Sequence, residues 1–221
     1  MKKYRILNFL LSVFLLISVQ ILSGCGTLPA KKGLVPPLFT CDKKADDALK
    51  NKNYEKSIIL HEFFLKENPD NGLAMYHTGF SYGQLGDHEN EVKFYEEAIK
   101  LGYYGSGIFF NLGMVYGEMG KLEDSVRIFK DAIEVEPGRA DNHFGLALVY
   151  QKMDSGRLAE KEFKRAIHLD PDDVDSIYHL GMLYFETGRI EKAKIQLKKL
   201  MEIVPDNEMT LILKNRLEDK K

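Results

Sequence analysis

One phrase occurs twice in this chain: LGMVYGEMG begins at Leu112 and LGMLYFETG at Leu180, 68 residues later, with Leu, Gly, Tyr and a final Gly in matching places. Half that offset, 34, defines a frame that holds along most of the chain. Residues 106–139 carry Phe109, Leu112, Gly113, Tyr116, Gly120, Ser125, Phe129, Ala132 and Pro137. Residues 174–207 carry Ile177, Leu180, Gly181, Tyr184, Gly188, Ala193, Leu197, Leu200 and Pro205 at the same positions. Frame 72–105 fits through Met75, Gly79, Tyr82, Gly86, Tyr95 and Ala98, with Tyr103 in place of the proline, so Gly102 and Gly105 are expected to end its second segment. Frame 140–173 keeps Leu146, Ala147, Tyr150, Ala159, Phe163, Ala166 and Pro171, but its turn glycine moves to Gly156, which predicts a longer first helix. Frame 38–71 matches through Ala45, Ala48, Tyr54 and Pro69, with Cys41 and Lys44 where bulkier or apolar residues recur. A unit this small cannot bury its apolar face alone and must stack on its neighbours.

The pattern resembles the tetratricopeptide repeat, in which two antiparallel helices fill each 34-residue unit. The residues support that geometry independently. Gly113 and Ser125 let backbones approach, Leu112, Tyr116 and Phe129 fill the seam, Gly120 turns the chain, and Pro137 stops the second helix. The expected fold is all-α, a right-handed α-solenoid of five such repeats (38–71, 72–105, 106–139, 140–173 and 174–207). A capping helix over 208–218 follows, with Met209, Ile212, Leu213 and Leu217 as its apolar stripe.

In that family the first helix of each repeat lines the concave side. The resemblance therefore places the fifth-position residues Tyr76, Phe110, Phe144 and Tyr178 in one column and the ninth-position residues Phe80, Met114, Leu148 and Met182 in another. The sixth position supplies His77, Asn111, Gly145 and His179, of which Asn111 is suited to hold an extended peptide backbone. These columns imply an apolar protein-binding groove. Its first-repeat end is acidic through Asp42 and Asp46, and the Lys, Asn and Arg clamp with which the family's chaperone co-receptors hold a C-terminal carboxylate is missing. Two other readings of the columns stand beside this one: the rings pack on each other, or Leu34, Val35, Leu38 and Phe39 of the preceding segment fill the groove.

The N-terminus reads as an address. Lys2, Lys3 and Arg5 precede an apolar run from Ile6 to Leu22 that is too short and too quickly ended to be a good permanent span. Leu22-Ser23-Gly24-Cys25 resembles the lipobox of bacterial lipoproteins. That resemblance implies a signal peptide over 1–24 and an acylated Cys25 as first mature residue. Two or three acyl chains anchor a protein stably where one does not. Gly26 stands where Asp would mark inner-membrane retention, so an outer-membrane anchor facing the periplasm is expected, or the outer face of the single membrane in a Gram-positive host. Residues 25–37, rich in Pro and Gly, form a tether.

Loss of 1–24 removes three of 31 basic residues, leaving 28 against 33 acidic ones, which argues against nucleic acid as a partner. With Cys25 acylated, Cys41 is a lone thiol, either buried or paired between molecules. The six histidines are scattered in sequence without close ligand spacing, and no phosphate loop or nucleophile elbow is present. No catalytic residue, metal or cofactor is therefore expected. The resulting expectation is a lipid-tethered scaffold that binds an envelope protein or peptide. Lipoproteins with such arrays include type IV pilus pilotins and adaptors for murein hydrolases. The alternatives are a self-assembling homo-oligomer and an envelope enzyme.

Overall fold

A computed structural model describes residues 41–105 and 107–219. The signal segment, Cys25 and the tether lie outside the described residues. Among the described residues there are eleven α-helices and no strand. They fall as five consecutive hairpins: α1 (Lys43–Lys50) with α2 (Tyr54–Glu67), α3 (Gly72–Gln84) with α4 (His88–Lys100), α5 (Ile108–Glu118) with α6 (Leu122–Val135), α7 (Ala140–Lys152) with α8 (Gly156–Leu169), and α9 (Val174–Glu186) with α10 (Ile190–Ile203). The single helix α11 (Glu208–Glu218) packs on α9 and α10. No described helix is long and apolar enough to cross a membrane.

Helix ends follow from local chemistry. Pro69, Pro137, Pro171 and Pro205 each stand two residues beyond the last residue of α2, α6, α8 and α10. Proline crowds the residue before it out of the helical region. Asn68, Glu136, Asp170 and Val204 accordingly adopt φ of −129°, −130°, −131° and −140°. Helix α4 has no such proline, and its last residues stay near-helical until Gly102 turns to φ +83°. There the amide of Tyr103 donates to the Ala98 carbonyl and that of Gly102 to Ile99, each at 2.9 Å, a glycine-based C-terminal cap.

The turn inside each hairpin is placed more regularly than the glycines suggest. The fifteenth residue of every frame, Lys52, Gly86, Gly120, Asp154 or Gly188, takes positive φ between 54° and 78°. The expected displacement of the fourth turn to Gly156 is thus corrected. Asp154 occupies the left-handed position, Gly156 begins α8, and α7 has the same 13 residues as α3 and α9. Aspartate tolerates that region better than most residues with a Cβ, so the turn needs no glycine.

Small residues set the helix spacing around the largest buried rings. A Cβ on Gly145 would lie 2.3 Å from the Phe129 ring, and one on Gly113 would lie 2.7 Å from it. Phe129, fully buried, is held between α5 and α7 by their lack of side chains, and Ser125 Oγ donates to the Gly113 carbonyl at 2.6 Å. Burying such a ring stabilises by roughly 1.5–3 kcal/mol. Tyrosines at the eleventh frame position join consecutive hairpins: Tyr82 donates to Glu62 at 2.8 Å, Tyr116 to Glu96 at 2.6 Å and Tyr184 to Glu160 at 3.0 Å. In the last helix the buried stripe is Thr210, Leu213 and Leu217, whereas Ile212 is exposed. The expected stripe is corrected at Ile212, because Leu213 points at Gly181, where a Cβ would lie 2.6 Å from its methyl.

Candidate functional site

The columns expected to line a groove lie on α3, α5, α7 and α9. Tyr76, His77, Phe80, Phe110, Asn111, Met114, Phe144, Leu148, Tyr178, His179 and Met182 are all half-buried, so each has one side on the core and one towards solvent. Their inner sides are well supported. Phe110 meets Phe129 edge-on at 6.0 Å, Phe144 lies 6.1 Å from Phe163 and 5.6 Å from His179, and Tyr178 meets His179 at 5.3 Å. Tyr76 stacks between Tyr95 at 5.6 Å and Tyr103 at 5.4 Å. These rings thus pack chiefly on Tyr95, Tyr103, Phe129 and Phe163 outside the columns, and within the columns Phe144 and Tyr178 meet His179 and Tyr76 meets His77. Asn111 Nδ2 donates to Tyr76 Oη at 3.3 Å, which engages part of the amide expected to meet a peptide.

Of the expected lining, Phe80, Asn111, Met114, Leu148 and His179 border enclosed space, whereas Tyr76, His77, Phe110, Phe144, Tyr178 and Met182 line neither of the two cavities. A cavity of about 350 Å³ is lined by Met114 and Gly117 of α5, Leu148 and Val149 of α7, and His179 of α9, with Glu118, Gln151 and Lys152 around it. A second, of about 180 Å³, lies between α3 and α5 and is lined by Phe80, Tyr95, Asn111 and Met114, with His88, Glu91 and Glu118 as its charged part. Met114 and Glu118 belong to both, so the two form one path across the first helices of successive hairpins. Burial lowers the pKa of His179 against the opposing pull of Asp175 and Asp173, which keeps its ring neutral near pH 7. Burial also raises Glu91, although His88 Nδ1 approaches its carboxylate at 2.9 Å.

His77 goes elsewhere. Its Nδ1 lies 3.0 Å from Asp46 Oδ1 and 3.3 Å from His61 Nε2, which is itself 3.3 Å from Asp46 Oδ1. With Cys41 Sγ these donor atoms all fall within 4.8 Å of one another. Burial, then Asp46 and Asp42, push the Cys41 thiol up to about 12, and burial followed by the neighbouring His61 lowers His77. Spacing along the chain missed this group, since its members stand at 41, 46, 61 and 77. The antiparallel packing of α2 against α1 and α3 brings them together. A residue-by-residue search for short ligand spacings had no signal to find. Comparing equivalent faces of consecutive hairpin helices would have paired His61 with His77.

Comparison with known proteins agrees with this architecture. Two family models described as "Tetratricopeptide repeat" match, one over residues 157–217 and the other over 74–101 and 106–139, together more than half of the chain. No curated protein matches the sequence significantly. Among solved structures, PilW, described as a widely conserved type IV pilus biogenesis factor, superposes with a TM-score of 0.70 at 19% identity, over 80% of this chain and 82% of its own. YrrB, described as a TPR protein with an unusual peptide-binding site, superposes with a TM-score of 0.65 at 20% identity, over 77% of this chain and 88% of its own. The thermophilic TPR protein TTC0263 of Thermus thermophilus reaches 0.59 at 25% identity, over 80% and 94%. Five helical hairpins in a 34-residue register, together with these matches, show that the chain belongs to the tetratricopeptide repeat family.

Proposed function

We propose that the protein is a lipid-anchored interaction scaffold of the bacterial envelope, which holds a peptide or helix of a partner along the path formed by α3, α5, α7 and α9. The observation that carries the reading is the cavity of about 350 Å³ whose walls come from three successive hairpins, with Met114, Leu148 and neutral His179 facing it. A pocket of that size accepts one or two apolar side chains. As an upper figure, a partner that also covered half of each fifth-position ring, at about 150–250 Å² per ring, would remove roughly 300–500 Å² of apolar surface, or about 8–12 kcal/mol at ~25 cal/mol/Å². Association and ordering consume about 4–15 kcal/mol of it, so a single peptide binds weakly to micromolar. The lipobox-like Leu22-Ser23-Gly24-Cys25 supports the anchor, and the likeness of fold to a pilus biogenesis factor supports a role in assembling a pilus, secretion or cell-wall complex.

Photocrosslinking from the Leu148 position in cells tests the groove, with the exposed Phe63 position of α2 as control. The expected result is a discrete adduct from Leu148, absent from Phe63 and lost in Met114→Lys, with helical circular dichroism unchanged. Equal adducts from both positions would remove the groove from the account. Cys25→Ser should abolish acyl labelling, and a labelled mutant would contradict the anchor.

Self-association is the second reading. Ile195 and Met201 of α10 and Leu211 and Ile212 of α11 are exposed apolar residues at the C-terminal end. A detergent-solubilised full chain whose mass doubles with concentration, and returns to monomer in Leu211→Ser with Ile212→Ser, would favour it.

A further inference from the structure

His61 is fully buried on α2, and its Nδ1 lies 2.9 Å from the carbonyl oxygen of Ser57. A carbonyl only accepts, so Nδ1 carries a hydrogen, and in the singly protonated ring Nε2 presents a lone pair. That lone pair faces Asp46 Oδ1 and His77 Nδ1, each 3.3 Å away. One hydrogen on His77 Nδ1 cannot satisfy both neighbours, and Asp46 Oδ1 and His61 Nε2 are left as two acceptors pointed at each other. Cys41 Sγ completes the group from the residues just before α1. A positive charge relieves this, either as a proton on His61 Nε2 or as a metal ion held by the whole group.

The dimensions fit a metal ion. Ligand atoms held tetrahedrally at 2.0–2.3 Å from a central ion stand roughly 3.3–3.8 Å apart. The carboxylate oxygen and the two ring nitrogens are already 3.0–3.3 Å apart, and all four donors lie within 4.8 Å, so a movement of about 1 Å at Cys41 closes the set. Thiolate and carboxylate together balance a divalent charge, and mixed S, O and N donors suit a borderline-soft ion. Outer contacts that orient such ligands are present. Ser81 Oγ donates its one hydrogen to the His77 carbonyl at 2.8 Å and lies 3.0 Å from Ser57 Oγ, from which it can accept, and Ser57 Oγ lies 3.2 Å from His61 Nδ1. The Asp46 side chain, 42% exposed, leaves a route from solvent.

We propose that Cys41, Asp46, His61 and His77 form a structural site for a zinc-class divalent cation, which ties the first hairpin to the second. Four protein ligands leave no open position, as in structural rather than catalytic sites. Binding forms four metal–ligand bonds, displaces water from the ion and releases the Cys41 thiol proton to solvent. The ion compensates for the shortest helix of the stack, since α1 has eight residues and buries only Ala45 and Ala48.

The untagged full chain, purified in detergent under reducing conditions and stripped with a chelator, is titrated with Co2+ as optical probe and then with Zn2+. The expected result is one equivalent of Co2+ with a thiolate charge-transfer band and intense tetrahedral visible bands, displaced by one equivalent of Zn2+. Cys25→Ser keeps the band and Cys41→Ser loses it. Asp46→Asn and His77→Ala, at the ligands nearer solvent, weaken binding at least about tenfold without changing helical circular dichroism. Amide exchange in α1 slows when Zn2+ binds. No stoichiometric uptake, weak octahedral bands without charge transfer, or a band that survives Cys41→Ser would overturn the site. Unchanged exchange in α1 despite stoichiometric binding would overturn the clamp.

Discussion

Lys52 and Asp154 take φ of 58° and 54° where Gly86, Gly120 and Gly188 take 73–78°, so two of the five hairpin turns hold a side chain in the left-handed region. That conformation costs an L-residue roughly 1–2 kcal/mol, partly offset by the greater entropy that glycine loses on folding. Lys52→Gly is expected to stabilise by about 0.5–1 kcal/mol and Asp154→Gly by less, since aspartate tolerates the region, with urea unfolding as the measurement. The reverse holds at Gly145. Alanine there would put a Cβ 2.3 Å from the Phe129 ring, and overpacking of this kind destabilises by roughly 1–3 kcal/mol. The turn register was legible in the sequence from three glycines, but Gly156 drew the fourth turn two residues away because residue type alone does not reveal φ. Gly145, a groove position by register, serves the core instead: its missing side chain admits Phe129.

Among the elements, α11 seals the stack through Thr210, Leu213 and Leu217, and Thr210 Oγ1 donates to the Val204 carbonyl at 2.9 Å. Leu213→Ala should cost about 2–5 kcal/mol and speed amide exchange in α10 and α11, while Ile212→Ser on the exposed side should stay within about 0.5 kcal/mol. The α8–α9 junction adds an electrostatic contact to an apolar seam in which Phe163 shares one core cluster with Ile177, Leu180 and Leu183. Burial alone would raise Glu160, but hydrogen bonds from Lys164 at 2.7 Å, from Arg189 and from Tyr184 at 3.0 Å, with the Arg189 charge, bring it down from 4.5 to about 2. Its contribution is therefore fully present above pH 4.5 and lost as pH falls towards 2. Solvent screening limits this to under about 1 kcal/mol. Glu160→Gln should flatten the acid limb of thermal stability between those pH values, and an unchanged limb would show that the pair contributes nothing measurable.

Across the described residues, the first helices of hairpins two to five border one path with two cavities, so the proposed binding surface runs along the stack and not at a single loop. Leu148→Lys should therefore weaken partner capture by at least about tenfold while leaving the melting temperature within a few degrees, because Leu148 is half-buried and its neighbour Ala147, fully buried, carries the packing. The path was legible in part: Phe80, Met114 and Leu148 of the ninth frame position and Asn111 and His179 of the sixth line its cavities, whereas the fifth-position rings Tyr76, Phe110, Phe144 and Tyr178 line neither. How far each ring turns inward was not legible. Tyr76 is stacked between two tyrosines and His77 is drawn to Asp46 and His61, so the second hairpin offers less free wall than its sequence suggests.

The sequence by itself determined the period, the helix stops and the family, because these depend on neighbours within one 34-residue unit: prolines that forbid continuation, small residues that allow approach, and apolar residues at fixed intervals. Tertiary structure decided what meets across units. Cys41, Asp46, His61 and His77 become one cluster, and Gly145 becomes room for Phe129, only after helices from different parts of the chain pack together. The physical reason is that periodicity fixes the direction in which a side chain leaves its own helix, while its contacts are set by a neighbouring helix whose residues no local pattern specifies.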